Sequence, residues 1–248
     1  MSRSSTRGLA VPAEDDVTIA SLNLHFGRDR DGERFDVEAA CRSLKADVIA
    51  LQETWGSAED PNAIGAVAEA LGFEILRFSL LEATDLHSHG VVDLERNEGG
   101  AWGLAVLTAL PVADYDVLDL GMAPGDMARR AAQLATVIAP NGRALRVVNT
   151  HLTHRVFASP VQMRRLTRRL VARPNPTVIV GDLNMVWPVT MIASGYRRAA
   201  RGTTWPAHRS GVQLDHILVN RALDCVDGEL LDPVGSDHLP IRARLRFA

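Results

Sequence analysis

The sequence predicts an α/β (α+β) fold in which two β-sheets pack on one another, and three observations predict it. Short apolar, β-branched runs recur at residues 17–24, 48–51, 104–107, 134–138, 145–149, 177–180, 214–219 and 241–247. Each is strand-length, and several are bounded by Gly, Pro or Asn. Asn141-Gly142, between two of these runs, signals a hairpin turn because both residues tolerate positive φ. Helical caps and helical periodicity coincide in only three places. Many short strands with a few interposed helices fit a sandwich better than a doubly wound parallel sheet.

The first helix follows Asp36, an N-cap, and places Val37, Ala40, Cys41 and Leu44 on one face. The second begins at Asp60-Pro61, carries Ile64, Val67 and Leu71 inward and stops at Gly72. The third begins at Ser159-Pro160-Val161-Gln162, which reads as a capping box, and runs to Ala172 before Pro174. No internal repeat is visible, and no low-complexity linker follows the N-terminal stretch.

Composition narrows the function. The chain has 248 residues, 46% hydrophobic and 23% charged, which excludes disorder and coiled coil. A net charge of -3 does not demand a duplex DNA partner, since non-specific binding rests on a basic excess. Two cysteines, Cys41 and Cys225, make neither a disulfide framework nor a Cys-rich zinc site. No apolar run approaches the roughly 18 residues of a membrane span. Residues 1–16 are polar, without the apolar core of a signal peptide, and read as a flexible tail on a cytoplasmic protein.

Chemistry-bearing residues interrupt or end the strand runs. Asn23 lies in the first, and Glu53 follows the second in Leu51-Gln52-Glu53. His151 ends Val147-Val148-Asn149-Thr150-His151. Asp182 and Asn184 end a run in Gly181-Asp182-Leu183-Asn184. Asp215 opens a run, and Asp237 and His238 lie in Gly235-Ser236-Asp237-His238-Leu239-Pro240. A single strand-end Asp or Asn is an ordinary cap or turn residue. The whole ordered set is not.

With this order and spacing the chain resembles the endonuclease/exonuclease/phosphatase superfamily, over about residues 17 to 247. The resemblance implies a four-layer α/β sandwich, two central mixed β-sheets flanked by helices, with residues 17–248 forming one catalytic domain. It implies that Glu53 is the main metal-ligating carboxylate, with Asn23 and Asp237 as direct or water-mediated neighbours. Such an all-oxygen set suits Mg²⁺, with Mn²⁺ as the alternative. His238 resembles the histidine that meets the scissile phosphate, oriented by Asp215. Asp182 and Asn184 resemble the pair that orients the attacking water, and the general base is Asp182 or His238. His151 resembles a second phosphate-contacting histidine.

The implied activity is metal-dependent hydrolysis of a phosphoester, a phosphodiester or phosphomonoester, by in-line attack of water. A small substrate is favoured; a DNA or RNA nuclease and a non-catalytic binding protein on the same fold are the rivals. Arg129 or Arg130, before the run at 134–138, is a candidate phosphate contact, and His154 begins a loop that opens near the site. The polar loop from Asp85 to Gly100, Trp187 and Trp205 are candidates for shaping the substrate pocket. Arg164, Arg165, Arg168 and Arg169 read as a solvated helix face. One departure is His25, where some family members carry an acidic residue; it weakens a two-metal reading. Asn23, Glu53, His151, Asp182, Asn184, Asp215, Asp237 and His238 are therefore expected to converge on one cleft.

Overall fold

A computed structural model of the chain describes residues 15–57, 60, 63–83, 100–171, 175–186, 192–209 and 211–248. Residues 1–14 of the N-terminal tail, the expected Pro61 and Pro174 boundaries, the polar loop after Asp85, and Trp187 lie outside these residues; Asp16, expected in the flexible tail, is instead held by Arg246 at 2.7 and 2.8 Å. In order, the elements are β1 (Val17–Asn23), α1 (Val37–Ser43), β2 (Val48–Ser57), α2 (Ala63–Leu71), β3 (Glu74–Ala83), β4 (Gly100–Thr108), β5 (Val112–Gly121) and β6 (Arg130–Ile138). Then come β7 (Ala144–Thr150), α3 (Ser159–Val171), β8 (Thr177–Asp182), β9 (Tyr196–Arg198), β10 (Asp215–Asn220), β11 (Leu223–Leu230) and β12 (Ile241–Phe247).

Two six-stranded mixed sheets form, ordered β11-β12-β1-β2-β4-β3 and β5-β6-β7-β8-β10-β9. Each has one parallel pair at its centre, β1–β2 in the first and β7–β8 in the second, with antiparallel pairs on both sides. Read from β11 and from β5, the two sheets repeat the same order of pairings. The repeat is topological, which is why no residue period betrays it.

Their inner faces meet through Ile19, Val48, Val106, Val137, Val147, Val178 and Ile217, all fully buried. The outer face of the first sheet takes α1 and α2 on Leu22, Ile49, Leu51 and Leu107. The outer face of the second takes α3, whose Met163, Leu166 and Leu170 cover Leu134, Val148 and Ile179. The result is the expected four-layer sandwich.

Each of the eight apolar runs falls on a strand, with only Leu24 and Leu214 outside the strand bounds. The strands they leave out are β3, β5, β9 and β11, and these are the four sheet edges. An edge strand has a solvent-facing flank, so residues such as Glu82, Asp114, Asp116, Asp224 and Asp227 interrupt its apolar pattern. Asp36 caps α1 as expected, accepting from the Ala39 amide at 2.9 Å. Gly72, with φ 71°, ends α2, and the Phe73 amide reaches back to Ala68. Two local readings need correction. Ser159 is the first residue of α3 with a buried, unbonded hydroxyl, and Gln162 instead bonds the Thr153 amide and the Gly121 carbonyl, so no capping box forms. In the β6–β7 hairpin only Gly142 has positive φ, while the Asn141 side chain accepts from the Arg143 amide.

The interface between the sheets also holds a buried polar chain. Gln52 donates to Asn149 Oδ1 at 2.8 Å, and Asn149 donates to Gln133 Oε1 at 2.9 Å and to the carbonyls of Leu51 and Ala105 at 3.0 Å. Gln133 donates in turn to the Leu76 carbonyl at 2.9 Å and to Tyr115 at 3.0 Å. Asn149→Ala is expected to lower stability by about 3 kcal/mol, because it strands several buried polar groups at about 1–3 kcal/mol each. Urea unfolding with an unchanged m-value measures this; a loss below about 1 kcal/mol would show the chain to be dispensable.

Candidate active site

The central parallel strands end on the same side of the sandwich, and the expected residues sit at those ends. Asn23 closes β1. Glu53 lies where the β2–β4 ladder slips register between Leu51 and Thr54, and its φ of 49° turns the backbone left-handed. A bulge there lifts one side chain off the strand's alternation. His151 follows β7, Asp182 ends β8, and Asn184 is again left-handed with φ 48°. Such backbones cost about 1–3 kcal/mol each and persist where the surroundings fix them. Gly181 leaves no room for any other residue: a Cβ there would lie 2.1 Å from the Thr150 carbonyl oxygen. Asp215 pairs in register with Asp182 across β10 and β8. Asp237 and His238 occupy the β11–β12 loop, where the Ser236 hydroxyl donates to the Asn23 carbonyl at 2.6 Å.

These side chains converge. Asn23 Nδ2 lies 3.2 Å from Asp182 Oδ2, which is 3.5 Å from His151 Nε2 and 3.9 Å from His238 Nε2. Glu53 Oε1 stands 3.8 Å from His151 Nε2. Asn184 Nδ2 donates to the Leu152 carbonyl at 2.9 Å and approaches His151 Nε2 at 3.2 Å.

The two histidines carry opposite charge states. Burial opposes the charge on His238, but Asp215, bonded to Nδ1 at 2.8 Å, with Asp182 and Asp237 nearby, raises its pKa to about 10. Burial and then the Arg130 guanidinium push His151 down to about 3. At neutral pH His238 is an imidazolium and His151 a neutral ring. Burial also pushes the Glu53 carboxyl up, against the pull of His25 and His238.

The donor set fits a hard divalent cation. Asp237 Oδ2 accepts from the Trp205 indole at 3.1 Å, whereas its Oδ1 is buried with no hydrogen-bond partner. Glu53 is a second carboxylate on the same cleft. Asn23 Oδ1 accepts the His25 amide at 3.0 Å and keeps its other lone pair. Oxygen donors of this kind suit a cation that retains water. Asp182, Asp215 and His238 form a second buried acid–imidazole group, with ligand atoms within 4.8 Å of one another.

The cleft encloses about 420 Å³. Arg130 lines it, and Arg129 does not: Arg129 is exposed and paired with Asp119. Arg130 is buried, held by Asp126 through Nε at 3.0 Å and Nη2 at 2.9 Å, with its Cζ 5.2 Å from the Trp102 ring centre. Its Nη1 is buried without a partner. His154 lines the cleft, and burial with Arg155 lowers its pKa. His25 lines it too, its Nδ1 3.8 Å from Asp237 Oδ1.

Sequence reasoning missed Asp126 and the apolar wall of Phe26, Trp102, Met127 and Leu214. Phe26 packs edge-on against Trp55 and Trp102, which are register partners on β2 and β4. An alternation of aromatic and small residues reads as core in any sequence, so only the Asp126–Arg130 spacing offered a signal.

The model of the Endonuclease/Exonuclease/phosphatase family matches residues 20–238. The chain belongs to this family. Members of the endonuclease/exonuclease/phosphatase family are hydrolytic phosphoesterases. The uncharacterized protein YbhP of Escherichia coli (strain K12) is 24% identical over 254 residues, covering 92% of this chain and 96% of YbhP. The endonuclease/exonuclease/phosphatase of Beutenbergia cavernae DSM 12333 superposes with a TM-score of 0.74 at 22% identity, over 94% of this chain and 72% of that one. The mannosyl-6-phosphatase Bt3783 of Bacteroides thetaiotaomicron VPI-5482 gives 0.72 at 15% identity, over 93% of this chain and 100% of that one. Both likenesses are of fold.

The Asp126–Arg130 pair has a pH signature. Burial disfavours the Asp126 carboxylate, yet the hydrogen bonds and charge of Arg130 hold its pKa near 2. A depressed carboxyl pKa contributes stability above its unfolded value, about 4, that is lost as pH falls through about 2. Asp126→Asn is therefore expected to lose about 1–2 kcal/mol at pH 7, a deficit that shrinks as the pH falls from 4 towards 2. Denaturant titrations of both proteins across that range check it; a deficit independent of pH would remove the ion pair as its cause.

Proposed function

We propose that the protein is a Mg²⁺-dependent phosphoester hydrolase acting on a compact substrate by in-line attack of water. The observation that carries this reading is the meeting of two sets in one cleft. Glu53 comes from β2 of the first sheet, Asp237 and His238 from the β11–β12 loop of that sheet, and His151, Asp182 and Asp215 from the second sheet. Glu53, Asp237 and Asn23 would hold the cation, and Mn²⁺ could replace Mg²⁺ there. When bound, the metal supplies positive charge to the phosphoryl oxygens and to the leaving oxygen.

The chain's own groups do the rest. His238, an imidazolium whose Nδ1–H is committed to Asp215, presents Nε2–H to a phosphoryl oxygen. Because its raised pKa leaves it protonated, the reading assigns Asp182 as the base that takes a proton from the attacking water. Asn184 steadies His151, and the buried Arg130 Nη1 supplies a further donor to a phosphoryl oxygen, as charge-assisted donors do in the family of anion sites. Arg129 has no part in this arrangement.

Substrate size follows from the lining. Among the described residues that line the cleft, Arg130 is the only arginine or lysine. A polynucleotide needs a track of phosphate contacts, and one arginine does not make one. The fold neighbour Bt3783 is named for a sugar phosphate, a compact phosphomonoester of the proposed kind. No described helix is long and apolar enough to cross a membrane, and the reading places the enzyme in the cytoplasm.

Glu53→Gln is expected to lower kcat at least about 100-fold and to raise the Mg²⁺ concentration needed for half-maximal rate, with the fold intact. Assays with nucleotide, sugar and lipid headgroup phosphoesters over a Mg²⁺ series test this. Near-normal turnover by the variant at low Mg²⁺ would rule out Glu53 as the metal carboxylate.

A further inference from the structure

Beside the cleft mouth the surface is apolar in a way the fold does not require. In the loop between β7 and α3, Val156 and Phe157 are 73% and 93% exposed. Val161, in the first turn of α3, and Met122, in the β5–β6 loop, are more than half exposed as well. Both loops are tied together and cannot easily fold these side chains inward. The Arg155 guanidinium donates to the Gly125 carbonyl, Gln162 Nε2 to the Gly121 carbonyl at 3.2 Å, and Arg165 Nη1 to the Leu120 carbonyl at 2.9 Å. The same two loops supply Met127 and His154 to the cleft lining, so the apolar patch adjoins the catalytic entrance. Four large apolar side chains left in water beside an entrance mark an interaction site.

The charge on the two loops and α3 is one-sided. Residues 121–129 and 151–171 hold six Lys and Arg and one Asp or Glu, and the exposed acids nearest in sequence are Asp114, Asp116 and Asp119 on β5. That one acid, Asp126, is buried in its pair with Arg130. On α3, Arg164, Arg165, Arg168 and Arg169 are exposed along the face opposite Met163, Leu166 and Leu170. Of the β5 acids, Asp119 is paired with Arg129. A chain of net charge -3 therefore presents a basic face beside an apolar tip.

We propose that this face docks on an anionic lipid bilayer, with Phe157, Val156, Val161 and Met122 entering the interface and the α3 arginines meeting the lipid phosphates. Apolar side chains that insert at headgroup depth beside a basic face are what surface binding to anionic lipid requires. A nucleic acid fits the arginines, and Phe157 offers one ring to a base, but Val156, Val161 and Met122 have no face to stack on bases and would be desolvated against phosphates. Docked in this way, the cleft mouth opens at the lipid surface, and phosphoesters presented there reach it by lateral diffusion. The docking does not depend on the hydrolytic reading and is measured without turnover.

The test is co-sedimentation of the full chain in EDTA with 100 nm vesicles, either phosphatidylcholine alone or phosphatidylcholine with about one third phosphatidylglycerol. Binding to the anionic vesicles is expected to exceed binding to phosphatidylcholine by at least about tenfold, given the favourable contribution of each arginine near an anionic surface. Val156→Ser with Phe157→Ser, and separately Arg164→Glu with Arg168→Glu, are each expected to weaken it about tenfold or more, with thermal unfolding unchanged. All four positions are exposed, so the fold is not at risk. The proposal is overturned if the wild type stays in the supernatant with anionic vesicles at low salt, or if both double variants sediment like the wild type. Tighter retention by a single-stranded RNA oligonucleotide would overturn it in favour of nucleic acid, and a Phe157-dependent dimer on gel filtration in favour of a second copy.

Discussion

One buried amide pair, Gln52 on β2 and Asn149 on β7, fixes how the two sheets lie on each other. Valine, isoleucine and alanine fill most of the interface, and apolar contact has no direction, so several offsets would bury similar area. Hydrogen bonds do have direction. An offset of the sheets would break the bonds that cross between them, from Gln52 to Asn149, from Asn149 to the carbonyls of Leu51 and Ala105, and from Gln133 to the carbonyl of Leu76. The candidate active site inherits this register directly. Glu53 is the next residue after Gln52, and His151 stands two beyond Asn149, so the carboxylate of one sheet and the imidazole of the other meet at 3.8 Å.

The electrostatics of the cleft follow from which neighbours each group was given. His238 and His151 are both buried, and burial alone would neutralise both. Asp215 bonded to one ring and Arg130 set near the other send them in opposite directions. A pair of titratable groups driven apart in this way separates a cationic donor from a neutral one within a single cleft. Asp126 belongs to the same logic at one remove, since it holds Arg130 in place while taking up two of its donor nitrogens.

Much of this was legible in the residues. The central strands announce themselves because both faces are buried, so their apolar runs are unbroken. The eight site side chains are polar residues within or next to apolar runs, which is a strong contrast in one dimension. The edge strands were hidden by their own solvent exposure. Arg129 and Arg130 were indistinguishable in sequence, and only Asp126 and Asp119, pulling on one guanidinium each, separate them. The capping box at Ser159 failed because Gln162 was claimed by the loops that build the cleft wall. The polar chain between the sheets was missed for another reason: Gln52, Gln133 and Asn149 look like interruptions until the partner sheet is present.

The pairing of β1 with β12 has a consequence for how the chain comes to be folded during synthesis. β1 is made well before β12, and one of its flanks stays open until β12 has been made. Asp237 and His238 arrive just ahead of that strand, so the carboxylates of Glu53 and Asp237 and the charged imidazole cannot assemble before it. Such closure of distant chain segments is slow and leaves a bare strand edge exposed meanwhile. A chain that stops short of β12 therefore has neither the complete cleft nor the closed sheet, and it gains both in the same event.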